Sequence, residues 1–298
     1  MSGARPLDSR SADAPFGTFT APAAFARLMR FAQRAPHNAL GKQLARAARA
    51  IYLWRAPAPV DVRVGDLRLR CWLDDNTCER KFVFTPWRFD PRELEALTEV
   101  LPRDGVFVDI GANVGIYTLL MATRLRGGGR IVAFEPFPPT HDRLLFNLAA
   151  TRAASPQWPR VDALRLGVAG AEGKRELRLD AGNLGGGSLA PGTARFSNAG
   201  SIDHASIECR PLLAVLAELG IERVDALKID IEGAEDEALC PFLAEAPASL
   251  LPRRVVVENS DGLWTRDLRG ALAGRGYREL FRTRLNSVLE LSGRARRP

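Results

Sequence analysis

The 298 residues are enough to bury a substantial core, either in one large α/β domain or in one domain with an N-terminal addition. No run of about eighteen apolar residues occurs and the N-terminus lacks a signal-peptide pattern, so we expect a globular cytoplasmic protein. The four cysteines include no Cys-x-x-Cys pair and do not cluster in sequence with the three histidines. Neither a zinc site nor a redox motif is therefore indicated.

The net charge of +7 comes from a sequence with 38 Arg and only 4 Lys. These basic residues are spread along the chain, whereas a nucleic-acid groove would group them with interleaved aromatic residues. The preference for Arg over Lys fits a general bias in amino-acid composition better than a specific binding face. We therefore expect no nucleic-acid partner.

Residues 1–22 are rich in Ser, Ala, Pro and Gly and are predicted to be disordered. Apolar spacing then predicts two amphipathic helices from Ala23 to Trp54, separated near Pro36. Their polar faces are basic. Attachment to an anionic membrane surface is one interpretation; the preferred one is a solvated polar face with the apolar side packed on the main domain. The basic residues are Arg27, Arg30, Arg34, Lys42, Arg46 and Arg49.

Alternating residues between Val60 and Phe89 predict a small antiparallel sheet, with one turn at Gly65-Asp66 and another near residues 74–76. Residues 23–90 would thus form an N-terminal extension of helices and a hairpin. A helix from Pro91 to Val100 would open the main domain, which we place at residues 91–298.

Residues 106–117 carry the first motif of the main domain. A buried strand, Val106 to Ile110, breaks into a glycine turn before an apolar helix. Gly111 and Gly115 would let the backbone approach a ligand, and free amides at the helix start would favour a negative group. Asp109 at the strand end suits a ligand that carries positive charge as well as a carboxylate. The pattern lacks the third glycine of a dinucleotide site.

Strands and helices alternate from there on, which predicts a parallel sheet with helices on both faces. The second strand ends at Glu135, where a carboxylate can hold ribose hydroxyls by two hydrogen bonds. Residues 161–168 are predicted as a third strand. An inserted hairpin should follow between Lys174 and Arg210, with a glycine-rich tip at residues 182–188 that either closes over a substrate or is disordered.

Three acidic residues end two later strands. Asp230 and Glu232 are two apart, so strand alternation would place them on one side, and Glu258 ends a fifth strand in the same way. In a doubly wound sheet these carboxylates meet the glycine turn where the strand order reverses. Their mutual repulsion calls for Lys228, a metal ion or a cationic cofactor nearby.

Three motifs together resemble the FkbM family of methyltransferases. They are Val-Asp-Ile-Gly-Ala-Asn-Val-Gly at residues 108–115, Val-Ala-Phe-Glu-Pro at residues 132–136 and Lys-Ile-Asp-Ile-Glu-Gly-Ala-Glu at residues 228–235. The third is the most specific, and the resemblance spans roughly Phe82 to Leu291. It implies a doubly wound, mainly parallel seven-stranded methyltransferase sheet that ends in an antiparallel pair. It also implies S-adenosylmethionine as cofactor and methylation of a hydroxyl on a sugar, glycan, glycolipid or related natural product.

The same resemblance assigns roles to individual residues. Asp230 and Glu232 would be catalytic and face the transferred methyl, while Glu135 would hold the ribose. The remaining cofactor-binding residues would be Asp109, Gly111, Ala112, Asn113, Gly115 and Pro136. The chain departs from the family pattern at residues 210–213, where Arg-Pro-Leu-Leu replaces a Leu-Asp-Asp-Leu-like stretch.

Alignment of the acceptor oxygen with the methyl and removal of its proton are the tasks left to the protein. A divalent metal held by the acids could lower the hydroxyl pKa, but a metal-free reaction is preferred. Methylation of RNA or protein is the alternative within enzymes, although no Asn-Pro-Pro-Tyr-like or Pro-Cys dipeptide marks a base methyltransferase. A noncatalytic cofactor-binding scaffold and a dehydrogenase are the remaining hypotheses, and a scaffold would have no use for three convergent acids.

Overall fold

The computed structural model describes residues 14–55, 58–125, 128–155, 157–180, 183–188 and 202–293, with no side-chain description for residues 180, 183–188, 202 and 203. Within them the helices are α1 (Ala23–Gln33), α2 (Ala39–Arg55), α3 (Thr77–Phe84), α4 (Pro91–Val100), α5 (Ile116–Arg124), α6 (Pro138–Arg152), α7 (Leu212–Glu218), α8 (Glu235–Glu245) and α9 (Leu268–Gly274). No helix of these described ranges is both long and apolar enough to cross a membrane.

The central sheet contains seven strands in the order β12-β13-β11-β10-β3-β4-β5. All neighbouring strands are parallel except β13, which runs antiparallel to β11 and β12. This confirms the predicted doubly wound methyltransferase sheet and its terminal antiparallel pair. The strands are β3 (Val106–Ile110), β4 (Arg130–Phe134), β5 (Arg160–Leu164), β10 (Ala226–Ile229), β11 (Arg254–Glu258), β12 (Tyr277–Arg282) and β13 (Asn286–Leu291).

Alternate residues of β3 separate the two apolar layers that cover the sheet. Phe107 packs with the cluster that includes the N-terminal helices, whereas Val108 and Ile110 pack with the cluster formed by α7, α8 and α9. By the same alternation Asp109 lies on the side of Phe107. The β3 to β10 pairing is where the strand order reverses, and the predicted site residues lie at that edge.

The hairpin of β1 (Val60–Val64) and β2 (Leu67–Cys71) is confirmed, but the small sheet ends at Cys71 and does not continue to Phe89 as predicted. Residues beyond the second turn form α3, because Asn76 caps it by accepting a 3.1 Å hydrogen bond from the Glu79 amide. The hairpin is packed on α6, where Asn147 accepts a 2.8 Å hydrogen bond from the Arg70 amide. The extension is thus part of the main core.

The segment from Ala14 to Pro22 is packed on the hairpin, so the prediction of disorder up to residue 22 is wrong for these residues. Residues 1–13 lie outside the described ranges. The amides of Gly17 and Phe19 donate to Asp61 at 2.7 and 3.1 Å. Arg70, which is fully buried, binds the same carboxylate at 2.8 Å and the carbonyl oxygen of Ala14 at 2.8 Å. A buried guanidinium needs several acceptors, and this segment supplies some of them.

The inserted hairpin is confirmed as β7 (Gly173–Asp180) and β9 (Ile202–Arg210), in a four-stranded sheet with β6 (Gly167–Val168) and β8 (Asn183–Ser188). Two details of the prediction are corrected. The third strand ends at Leu164, and the residues that were expected to continue it enter this second sheet as β6. Most of the glycine-rich stretch is strand β8, paired with β7, rather than a loose tip.

Candidate functional site

The turn after β3 needs its glycines for packing inside the protein. Gly111 has a φ of 78°, and a Cβ there would lie 2.0 Å from the carbonyl oxygen of Asp230. Gly115 has a φ of 90°, and its Cβ would lie 2.4 Å from a methyl carbon of Leu144. Both positions therefore exclude a side chain for steric reasons. Gly111 makes room for the loop after β10, which differs from the expected approach to a ligand.

The amides of this turn are all satisfied within the chain. Gly111 and Ala112 donate to the carbonyl oxygen of Phe134 at 3.0 and 2.9 Å, and Gly115 donates to Ala112 at 2.9 Å. The Asn113 amide donates to Glu135 at 2.8 Å. The next amide, at position 114, donates to the Asn113 side chain at 2.8 Å. The amides of residues 111–115 are therefore occupied, so the turn itself is not a phosphate cradle, while the role expected for the amides at the start of α5 stays a prediction.

Glu135 ties the turn to the start of α6. Besides the Asn113 amide, its carboxylate accepts hydrogen bonds from the Phe137 amide at 3.1 Å and the Thr140 hydroxyl at 2.7 Å. Burial raises the pKa of Glu135, and these three donors oppose that rise. A carboxylate has about four acceptor positions. Three of these are occupied, and the predicted contact of Glu135 with ribose hydroxyls stays a prediction.

Lys228 is the buried cation of the site. It is the register partner of Asp109 in the parallel pair of β10 and β3, so the two side chains lie on the same face. Its Nζ lies 3.3 Å from a carboxylate oxygen of Asp230 and 3.9 Å from Oδ1 of Asp109. The other oxygen of Asp109 accepts a 2.6 Å hydrogen bond from the Thr118 hydroxyl. The cation predicted to relieve the acidic cluster is thus supplied in part by Lys228.

Neighbouring charge and burial act in opposite directions on the pKa of Lys228. Burial lowers the pKa of Lys228, but the carboxylates of Asp230 and Asp109 outweigh that effect and raise the pKa above its ordinary value. Burial raises the pKa of Asp109, against the lowering influence of Lys228 and Thr118. The ammonium therefore stays charged beside Asp230 at neutral pH.

Three carboxylates converge next to Lys228, as predicted. One oxygen each of Asp230, Glu232 and Glu258 lie within 4.8 Å of one another. The expected reason was strand alternation, but β10 ends at Ile229 and the loop that follows brings the first two acids together, with Glu232 at a φ of 55°. Oxygen ligands at this spacing suit a divalent cation, and the same charge suits a cationic organic ligand.

Glu235 shapes that loop and had no assigned role in the sequence. It is fully buried and accepts hydrogen bonds from the amides of Ile231 at 3.0 Å and Gly233 at 3.2 Å. Its second oxygen accepts from the indole N–H of Trp264 at 2.8 Å. The last acid of the third motif was a signal for this role, because an acid at the start of a helix often binds backbone amides.

Helix α3 contributes a wall that the sequence did not predict. Asn76 donates a 2.9 Å hydrogen bond to the side-chain oxygen of Asn113. Burial raises the pKa of Cys78 to about 12, while the nearby charge of Lys228 lowers it. The backbone of β8 passes beside α3. The N-terminal extension therefore borders the site through Asn76 and Cys78, and the inserted sheet passes beside the same helix.

The predicted site residues differ in their access to a ligand. Gly111, Asn113, Pro136, Asp230 and Glu232 retain exposed surface. By contrast, Asp109 is fully buried, and Ala112, Gly115 and Glu135 are buried too. Asp109 can thus act on a ligand only through Lys228, as a positioning residue.

Known proteins share this sequence pattern. The methyltransferase FkbM domain matches residues 109–279. AMB antimetabolite synthetase AmbE of Pseudomonas aeruginosa is 32% identical over 210 residues, which are 59% of this chain and 9% of that protein. Methyltransferase sdnD of Sordaria araneosa is 33% identical over 165 residues, 47% of this chain and 61% of sdnD.

Hexuronic acid methyltransferase AglP of Haloferax volcanii is 29% identical over 147 residues, 49% of this chain and 53% of AglP. The chain thus spans less than two thirds of the length of each of these curated relatives. The FkbM domain covers more than half of the 298 residues and includes the end of β3, the turn after it and the acidic loop after β10. The chain therefore belongs to the FkbM methyltransferase family.

Proposed function

We propose that this protein is an S-adenosylmethionine-dependent O-methyltransferase that acts on a hydroxyl of a sugar, glycan, glycolipid or related natural product. The observation that carries the proposal is the combination of a turn whose amides are all used internally with three convergent carboxylates. Such a site repels phosphate and favours a cation. The name of AglP, a hexuronic acid methyltransferase, supports a sugar-type acceptor.

The cofactor would lie at the edge where β3, β4 and β10 end. When bound, it supplies a methyl group on a sulfonium, which is a good leaving group. The exposed faces of Gly111, Asn113 and Pro136 would contact it, with Ala112 and Gly115 shaping the turn beneath. Glu135 offers one remaining acceptor position to the ribose. Asp109 would hold Lys228 in place beneath the site.

Asp230 and Glu232 would meet the acceptor hydroxyl. Both retain exposed surface, and the Nζ of Lys228 lies 3.3 Å from a carboxylate oxygen of Asp230. An ordinary carboxylate, with a pKa of about 4, is a poor base for an aliphatic hydroxyl. The proton would therefore reach the carboxylate late, once the new C–O bond has made the acceptor oxygen acidic. No step requires a metal, although the acidic cluster could hold one.

Methyl-labelled S-adenosylmethionine incubated with fractionated cell glycans, lipids, small molecules, RNA and protein tests the acceptor class. We expect label in a glycan, glycolipid or small-molecule fraction. Label confined to RNA or protein would contradict the proposed acceptor. Calorimetry with S-adenosylmethionine beside NAD tests the cofactor, and tight NAD binding without any response to S-adenosylmethionine would contradict the whole proposal.

Asp230→Asn tests the catalytic role. This substitution keeps the size of the side chain, so cofactor affinity measured by calorimetry should stay within a small factor. Methyl transfer should fall by about 10²–10⁴-fold, the range that a positioned general base contributes. Glu245→Gln, an exposed position at the far end of α8 from the site, serves as control and should keep full turnover. Wild-type turnover in Asp230→Asn would remove Asp230 from the catalytic role.

A further inference from the structure

Helix α2 has two apolar stripes, and only one of them is packed. Its buried residues recur at spacings of four, three and four, as Gly41, Ala45, Ala48 and Tyr52. Tyr52 lies edge-on to Phe25 of α1 and to Phe84 of α3, with ring centroids 5.4 and 5.5 Å apart. This stripe accounts for how the helix is fixed to the protein.

The second stripe of α2 faces outward. Leu40, Ala47, Ile51 and Trp54 recur at helical spacing and are exposed, with Trp54 75% accessible and Leu40 60% accessible. On α1, Phe31 is exposed as well. A helix that is apolar on two sides needs two partners, and the residues that the structure describes supply one.

The described part of the chain concentrates its exposed apolar side chains here. Five of its seven exposed large apolar side chains lie on α1 and α2. By helical spacing Leu53 lies on a different side of α2 from the outward stripe. The other four define what we name the N-terminal apolar surface: Phe31, Leu40, Ile51 and Trp54. A patch of this kind marks an interaction site when polar residues surround it. The preferred sequence interpretation had the apolar side packed on the main domain, whereas the packed stripe contacts α1 and α3 of the N-terminal extension and the second stripe is exposed.

The charge around this surface has a single sign. Residues 23–55 contain seven basic residues, and no acidic residue occurs between Asp13 and Asp61. Arg27, Arg30 and Arg34 surround Phe31 at helical spacing and are exposed. The guanidinium of Arg55 stacks 4.4 Å from the ring centroid of Trp54. The surface therefore fits a partner that is both anionic and apolar.

We propose that the N-terminal apolar surface binds the surface of an anionic lipid membrane, with α1 and α2 lying at the headgroup level. Exposed aliphatic and aromatic side chains would enter the headgroup and acyl boundary, while the basic residues contact anionic headgroups. RNA would match the charge, but it offers nothing to Leu40 and Ile51, since nucleic-acid contacts use stacking rings and phosphates. The proposal does not depend on methyl transfer, because none of these residues lies at the candidate site.

Vesicle sedimentation of the full chain tests this surface. The probes are phosphatidylcholine vesicles with and without phosphatidylglycerol, at low and high salt. We expect binding only to the anionic vesicles and weaker binding as salt rises, because surface charge is screened. Failure to bind anionic vesicles at low salt would overturn the proposal, and so would equal binding to both vesicle types.

A double variant, Ile51→Ser with Trp54→Ser, removes two exposed apolar side chains. We expect a loss of vesicle affinity of at least about tenfold, from the apolar area withdrawn from the membrane. The matched control is Leu145→Ser with Leu280→Ser, because both leucines are exposed on other parts of the protein. Equal losses in the two double variants would overturn the assignment to this surface.

A charge variant provides a second measurement that does not rely on apolar substitution. Arg30→Gln with Arg46→Gln changes two exposed positions, and it should reduce both the affinity and its salt dependence. Analytical ultracentrifugation and an RNA titration cover the other occupants. Self-association that Ile51→Ser with Trp54→Ser abolishes, or RNA binding without vesicle binding, would assign the surface to another partner and overturn the membrane proposal.

Discussion

Replacing Gly111 with Ala tests how the two loops of the candidate site depend on each other. The new Cβ would lie 2.0 Å from the carbonyl oxygen of Asp230, and that oxygen belongs to the backbone, so the loop after β10 would have to move. A positive φ costs a residue with a Cβ about 1–2 kcal/mol. Overpacking against a neighbour adds about 1–3 kcal/mol. We expect the free energy of unfolding to fall by about 2–5 kcal/mol.

Gly220→Ala separates these two contributions. Gly220 has a φ of 63°, similar to that of Gly111, but no atom lies within 4 Å of the position where its Cβ would be. Only the backbone term applies there, so the expected loss is about 1–2 kcal/mol. The difference between the two variants measures the contact between Gly111 and the Asp230 carbonyl.

Urea unfolding followed by circular dichroism measures both variants, and a constant slope with denaturant would show that the change lies in stability. Methyl transfer by Gly111→Ala should also fall, because displacement of the loop moves Asp230 away from the acceptor. Equal losses of stability in Gly111→Ala and Gly220→Ala would refute the reasoning, since they would show that the loop after β10 moves without cost.

Two further predictions concern helix α3. Burial raises the pKa of Glu79 to about 8. In the unfolded chain a glutamate releases its proton at about pH 4.3, so between these two pH values the folded state binds the extra proton. The free energy of unfolding should therefore fall as the pH rises from about 4.3 to about 8. Urea titrations should show this decline in wild type and in Asp74→Asn, an exposed neighbour, but not in Glu79→Gln. Asn76→Asp removes the donor to Asn113 and keeps the helix cap, whereas Asn76→Ala removes both. Calorimetry should show weaker S-adenosylmethionine binding in both variants. Only Asn76→Ala should also lose about 1 kcal/mol of stability. Unchanged affinity in both would contradict a role of the hydrogen bond from Asn76 to Asn113 in cofactor binding.

Local patterns in the sequence predicted most of the central sheet. Runs such as residues 106–110 and 254–257 are β-branched and fully apolar or nearly so, and such runs are typical of strands buried on both faces. The glycine turn and the acids at strand ends then placed the site at the edge where the strand order reverses. The prediction of the strands succeeded because each strand pattern depends on neighbours within a few residues along the chain, while the site stays a prediction.

Contacts between distant segments decided what the sequence could not. The glycine at position 111 serves the Asp230 carbonyl, which lies 119 residues further along the chain. Similarly, the guanidinium of Arg70 fixes the segment that begins at Ala14 by donating a hydrogen bond to the carbonyl oxygen of Ala14. Neither partner can be identified from spacing, because both depend on which strands are adjacent.

The N-terminal helices show the same division. The spacing of apolar residues predicted that α1 and α2 are amphipathic helices, and the composition of the segment showed that their charged residues are all basic. The tertiary structure alone decided which apolar residues of α2 are covered, since Tyr52 is buried against its neighbours while Trp54, two residues further, is exposed. Burial is a property of the assembled layers: a side chain is covered only where another element of the fold reaches it, and among the described ranges no other element reaches the stripe that ends at Trp54.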